Sequence, residues 1–195
     1  MSIGDAEIKT QERVIRFFKD PEILGYQYIG NLSDYQNKNI KEDRLRQYLR
    51  LKGYADKLID AAVMQLQQEA GNLSRGVYDA NKTVYSRLKY GIPVSESPEK
   101  PPVTVELIDE ANPLNNDFAI AEEVTVVEQQ EKRPDLVIYL NGIAVAVIEL
   151  KRSSISVSEG IRQNLTNQKD SFIRGFFTTM QFCMAGNESE GLRYG

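Results

Sequence analysis

Residues 133–154 read RPDLVIYLNGIAVAVIELKRSS. Two strongly apolar runs flank Asn141-Gly142, a dipeptide that favours a tight hairpin turn because both residues accept a positive φ. The sequence therefore predicts strands over 135–140 and 143–151, antiparallel and side by side. The second run ends with two opposite charges, Glu149 and Lys151, and Asp135 stands at the mouth of the first. Side chains alternate along a strand, so Glu149 and Lys151 share a face, about 6.6 Å apart at ~3.3 Å per residue.

Register decides whether Asp135 joins them. A two-residue turn at Asn141-Gly142 sets Asp135 against Ile148, on the opposite face from Glu149. A three-residue loop over Leu140–Gly142, with Gly142 left-handed, sets Asp135 against Val147 and brings the three charges together. Asn-Gly suits either turn. The second register, or an equivalent bulge, is expected because it collects the charges on one face.

Such a trio has a definite chemical use. Carboxylate oxygens suit Mg²⁺, a hard cation that keeps several waters and also takes phosphate oxygens. The cation acidifies water and neutralises charge on a phosphoryl group, and an ammonium at Lys151 can orient that water and stabilise the transition state. The competing reading is an ordinary strand-end ion pair of Glu149 with Lys151, beside a turn-forming Asp135. Pro134-Asp135 lying fourteen residues upstream of Glu149, with a hairpin between, favours the metal site.

Composition narrows the chemistry further. Histidine is absent and Cys183 is the only cysteine, so Ser-His-Asp triads, Cys/His zinc sites and internal disulfides are excluded, and a reducing, cytoplasmic setting is expected. With 41% hydrophobic and 27% charged residues, the chain reads as a soluble globular domain with no membrane span. The net charge is -4, yet residues 131–174 hold seven basic against five acidic side chains, a modest local bias that alone decides nothing.

Around the hairpin the pattern predicts an α/β domain. A helix is expected over 5–19, stopped by Pro21, and a short strand over 26–32. A helical insertion follows over about 40–92, with Tyr78, Tyr85 and Tyr90 as packing residues. Strands are expected over 103–109, 118–129 (with a bend) and 176–186. Ser156 and Glu159 form a capping-box signature for a helix running to about 170. The site is expected at one edge of a mixed sheet.

The longer stretches NDFAIAEEVTV, RPDLVIYLNGIAVAVIELKRS, GIRQNLTNQK and FFTTMQFCMAGNESEGLRYG resemble, in that order, the amino-terminal region of the restriction (R) subunit of type I restriction enzymes. Pro134-Asp135 with Glu149-Leu150-Lys151 is similar to the signature of the PD-(D/E)XK nuclease superfamily. The similarity is dense from about 112 to 195 and thinner before it. It implies a restriction-endonuclease-like core, one nuclease domain over 1–195, acting as a Mg²⁺-dependent endonuclease on double-stranded DNA. The resemblance also implies a type I site-specific deoxyribonuclease of bacterial or archaeal cytoplasm, built with modification (methyltransferase) and specificity subunits. ATP would be bound by motor domains of the full-length subunit, since this chain holds no G-x-x-x-x-G-K-[ST] segment.

Residue by residue, the resemblance maps Asp135 and Glu149 onto the metal-binding acids and Lys151 onto the catalytic lysine. Gln163 maps onto the glutamine of a Gln-x-x-x-Tyr element that engages DNA, with Asn167 standing where the tyrosine would be. Related nucleases bring a glutamate from the first core helix to the metal. Glu12 is the best match, since helical spacing aligns it with Ile8, Ile15 and Phe18. Arg133, Arg152 and Arg162 are candidates for phosphate contacts. Two rivals stay open: a non-cleaving DNA-binding or assembly module with the nuclease fold, and a stand-alone repair or junction-resolving nuclease.

Overall fold

The structure is a computed structural model and describes residues 5–194. Helix α1 (Asp5–Lys19) leads into β1 (Gln27–Asn31), and three helices follow, α2 (Glu42–Leu51), α3 (Asp56–Gly71) and α4 (Val77–Tyr90). Then come β2 (Ile92–Val94), β3 (Val103–Val105), β4 (Phe118–Glu122), β5 (Val126–Val127) and β6 (Glu131–Lys132). The predicted hairpin is β7 (Leu136–Leu140) and β8 (Ile143–Leu150), and α5 (Val157–Asn167), β9 (Phe182–Asn187) and β10 (Gly191–Tyr194) complete the chain.

Six strands form one mixed sheet in the order β1-β4-β7-β8-β9-β10. The β1–β4 and β8–β9 pairs are parallel and the others antiparallel. This is the expected α/β architecture of a mixed sheet flanked by helices, but the hairpin occupies its two central strands, not an edge. The reason lies in the patterning. Every residue of β7 and β8 except Leu140 and Val145 is buried, and strands covered on both faces belong at the centre of a sheet.

One face carries Leu136, Ile138, Ala146, Ile148 and Leu150, which pack with Ile15, Val14 and Phe18 of α1. The other carries Val137, Tyr139, Ala144 and Val147, which pack with Ile173, Phe176, Phe177 and Met180. Helices α2–α4 and the β2–β3 ribbon enclose a separate apolar cluster that touches the sheet through Ile143.

Several local expectations are corrected. Residues 176–179 belong to a 3-10 turn, Arg174–Thr179, not to a strand, because the backbone is satisfied locally: Phe176 N donates to Ile173 O, Met180 N to Phe177 O, and the Glu128 carboxyl accepts from Gly175 N and Phe176 N. The strand over 103–109 shrinks to β3, since Asp109 starts a turn held by Lys52, Asn112, Asn115 and Asn116. The bend in 118–129 is a full break at Glu123, whose φ is +51°. Tyr78, Tyr85 and Tyr90 are exposed and do not pack in the core.

Candidate active site

The hairpin turn is the two-residue form: Asn141 and Gly142 both have positive φ, 52° and 83°, and Leu140 pairs with Ile143. On its own this turn would put Asp135 on the far face. The strand corrects itself three residues later. Tyr139 pairs with Ala144 but Ile138 pairs with Ala146, so Val145 is an extra, bulged residue. From there Val137 faces Val147 and Leu136 faces Ile148, and one step on Asp135 stands across from Glu149. The three-residue loop is not used, and the equivalent bulge is. Ala144 replaces Val145 on the face of Val147, which leaves Val145 partly exposed.

The turn is anchored from three sides. Asn141 is fully buried, and its side chain donates to Leu107 O and Asn116 Oδ1 and accepts from Asp117 N. A Cβ on Gly142 would lie 2.6 Å from Lys41 O and 2.8 Å from Leu45 N, so only glycine lets the turn abut the start of α2.

At the other end of the hairpin, Leu150 N–H donates to Asp135 Oδ2 at 2.6 Å. Glu149 is 0% exposed. Its Oε2 accepts from Gln163 Nε2 at 2.7 Å and lies 3.8 Å from Lys151 Nζ. Its Oε1 is buried with no amide, hydroxyl or ammonium donor among the described residues, and the Asp135 carboxyl lies within side-chain hydrogen-bonding reach of Glu149. Burial raises the Glu149 pKa well above the ordinary value, the Asp135 carboxyl raises it further, and Lys151 pulls the other way. Lys151 Nζ also donates to Leu150 O at 3.0 Å. Burying an acid beside a second acid is costly, and Glu149 bears that cost at the strand end.

Gln163 reaches Glu149 because α5 lies unusually close to the sheet. Gly160 is buried on the inner side of α5, where a Cβ would sit 2.7 Å from Ala185 Cβ and 3.4 Å from Glu149 Cβ. Ser156 caps this helix, its hydroxyl accepting from Ser158 N. Glu159 does not close a capping box here but pairs with Arg162 at 2.7 Å.

The donor set fits Mg²⁺. Two acids face each other, one carries an unmet oxygen, and no histidine or thiolate competes. Among the described residues, no three His, Cys, Asp or Glu side chains are gathered into a cage.

Of the expected site residues, Asp135, Glu149, Lys151 and Gln163 come together. Glu12 does not join them: it is exposed, and α1 packs on the Leu136–Leu150 face, opposite the one shared by Val137, Val147 and the acids. The α1 residue that turns to the sheet is Gln11, which donates to Glu122 Oε2 at 2.8 Å and Glu123 Oε1 at 3.3 Å. Arg133 pairs with Glu123 at 2.9 Å, Arg162 with Glu159, and Arg152 is half-buried just past β8. Asn167 is buried and its carbonyl accepts from Ile173 N, so it holds the end of α5. Glu123 went unforeseen; the only sequence signal was a Glu-Glu pair closing a strand run.

A mixed sheet flanked by helices, with an Asp–Glu–Lys constellation at the end of its central hairpin, defines a restriction-endonuclease-like α/β core. A profile of the family described as Type I restriction enzyme R protein N terminus matches residues 7–195, and the chain belongs to that family. Among curated proteins it is 33% identical over 97 residues to a chain of Methanocaldococcus jannaschii provisionally assigned as the type I restriction enzyme MjaIXP endonuclease subunit. It is 29% identical over 85 residues to the type I restriction enzyme SsaAORF53P endonuclease subunit of Staphylococcus saprophyticus. These matches cover 46% and 44% of this chain but only 9% of each relative. Among the described residues no helix is long and apolar enough to cross a membrane.

Proposed function

We propose that this chain is the Mg²⁺-dependent endonuclease region of a type I restriction enzyme R subunit, hydrolysing phosphodiester bonds of double-stranded DNA. It would act within a longer subunit whose motor domains bind ATP, assembled with modification and specificity subunits that choose the target. The observation that carries the reading is Glu149: fully buried, across from Asp135, with Oε1 unmet.

Asp135 and Glu149 would hold the cation. When bound, Mg²⁺ supplies the acidification of water and the neutralisation of phosphate charge. Gln163 fixes the other oxygen of Glu149, so Oε1 is the one left for the ion. The Leu150 N–H holds the Asp135 carboxyl at the strand end. Lys151, 18% exposed at the strand end, is free to swing its ammonium from the Leu150 carbonyl to a phosphate oxygen or the attacking water, where a positive charge stabilises the transition state. Arg133, Arg152 and Arg162 are the candidates for phosphate contacts.

The test is cleavage of a plasmid bearing the recognition sequence by the assembled enzyme with Mg²⁺ and ATP. Asp135→Ala should abolish cutting, and Lys151→Ala should reduce it by about 10²–10³-fold, the loss typical of a removed charge-stabilising donor, with DNA binding retained. If the wild-type assembly binds the plasmid equally with and without Mg²⁺ and never cuts, the non-cleaving module is the correct reading. Cutting by the full-length subunit without ATP or partners would favour the stand-alone nuclease.

A further inference from the structure

The loop between Lys151 and α5 is pinned at both ends to adjacent residues of β9. At its start, Lys151 N–H donates to Gly186 O at 2.8 Å, one step past the Leu150–Gly186 pair that closes the β8–β9 pairing. At its end, Ile155 O accepts from Asn187 Nδ2 at 2.7 Å. Two residues on, Val157 N–H donates to Glu190 Oε1 at 3.0 Å. Within the loop, Ile155 N–H donates to Arg152 O at 2.8 Å and Ser153 O accepts from the Ser189 hydroxyl at 3.3 Å. Ser153 and Ser154 are exposed, so polar ties more than apolar packing give this stretch its order.

Asn187 is the centre of these ties and is 6% exposed. Its Oδ1 accepts from Ser189 N at 3.0 Å and Glu190 N at 2.6 Å, which shapes the β9–β10 turn. Its Nδ2 reaches Ile155 O and, at 3.4 Å, Glu190 Oε1. An asparagine side chain has two donor hydrogens and two acceptor lone pairs, and here all four are engaged. The oxygen serves the turn, and the nitrogen ties that turn to the Lys151 loop.

We propose that Asn187 is a positioning residue for Lys151: by closing the 151–155 loop it fixes the backbone from which the Lys151 ammonium works. The inference rests on the nuclease reading given above. Lys151 Nζ lies 3.8 Å from Glu149 Oε2, at the end of a flexible four-carbon stem. Such a stem delivers its charge to one place only when its root is held. Misplacing a catalytic group by about 1 Å costs on the order of 10² in rate. Helix α5 is seated independently of this tie, with Gly160 against Ala185 and Asn164 Nδ2 donating to Met184 O at 3.0 Å.

Asn187→Asp in the full-length subunit tests this. Aspartate keeps an oxygen for Ser189 N–H and Glu190 N–H, so the turn stands, but it sets a second oxygen against Ile155 O. Hydrogen exchange read by mass spectrometry should quicken over 152–157 and match wild type over 160–167. Plasmid cleavage by the assembled enzyme should fall about 10²-fold with DNA binding retained. In a Lys151→Ala background the same change should alter cleavage by about twofold or less, because no ammonium is left to place. A general loss of structure would add in full. If Asn187→Asp lowers the melting temperature, a glycine inserted between exposed Ser153 and Ser154 slackens the loop at little cost to the fold and should reproduce the cleavage loss. Wild-type exchange over 152–157 in Asn187→Asp, wild-type cutting by either variant, or a loss that adds in full to Lys151→Ala overturns the inference and leaves the nuclease reading intact. A wild-type assembly that never cuts overturns both.

Discussion

Gln163 Nε2 lies 2.7 Å from Glu149 Oε2, joining α5 to the end of a central strand fourteen residues earlier in the chain. This bond satisfies one oxygen of a buried carboxyl group that also faces Asp135. Gln163→Ala removes it without touching the metal directly. We expect about 10–100-fold weaker Mn²⁺ binding and a similar loss of plasmid cleavage, the range found when a partner behind a metal ligand is removed. Far-ultraviolet circular dichroism should be unchanged.

Gly160 sets that contact from one turn away. Gly160→Ala places a methyl 2.7 Å from Ala185 Cβ, so α5 must lift from the sheet, at a cost of about 1–3 kcal/mol for overpacking. Lifting α5 also draws Gln163 from Glu149, so cleavage should fall as in Gln163→Ala. Adding Ala185→Gly makes room for the methyl. The double variant should regain most of the stability in urea unfolding and most of the cleavage.

At the hairpin turn, Gly142→Ala meets two obstacles, a φ of 83° and a Cβ 2.6 Å from Lys41 O. The backbone conformation alone costs about 1–2 kcal/mol and the clash adds to it. A lowered urea midpoint with unchanged slope is the expected result.

The raised pKa of Glu149 gives a sign to the pH dependence of stability. The folded chain binds this proton more tightly than the unfolded chain does. The stabilisation is therefore fully present below the ordinary glutamate value and is lost as pH rises through the elevated one. Without divalent metal, Glu149→Gln should melt above wild type at pH 8, and the gap should shrink towards pH 4. Mg²⁺ should raise the wild-type melting temperature at pH 8 and leave the variant's unchanged. Thermal melts with chelator and with Mg²⁺ at the two pH values check both statements.

The hairpin and the trio at its end are legible in the sequence because Asn-Gly and the apolar alternation are local signals. The register is only half legible. Where an extra residue is inserted depends on packing, and nothing in IAVAVIEL marks Val145 as the bulge. Glu12 misleads because a helical stripe fixes a face only to within about one residue: α1 turns Gln11 and Ile15 inward and leaves Glu12 outside. Glu123 was out of reach, since its approach to Asp135 comes from β4–β7 pairing and a left-handed backbone twist. The exposure of Tyr78, Tyr85 and Tyr90 could not be read either, because aromatic residues on a helix signal a face but not what covers it.

Anomalous diffraction from crystals soaked in Mn²⁺ looks directly for a divalent cation held between Asp135 and Glu149. An anomalous peak between the Asp135 and Glu149 carboxyls, within coordination distance of Glu149 Oε1 and absent from Glu149→Gln crystals, is the predicted result. Ordered Asp135 and Glu149 side chains with no peak between them at saturating Mn²⁺, or a peak bound only elsewhere, would contradict it.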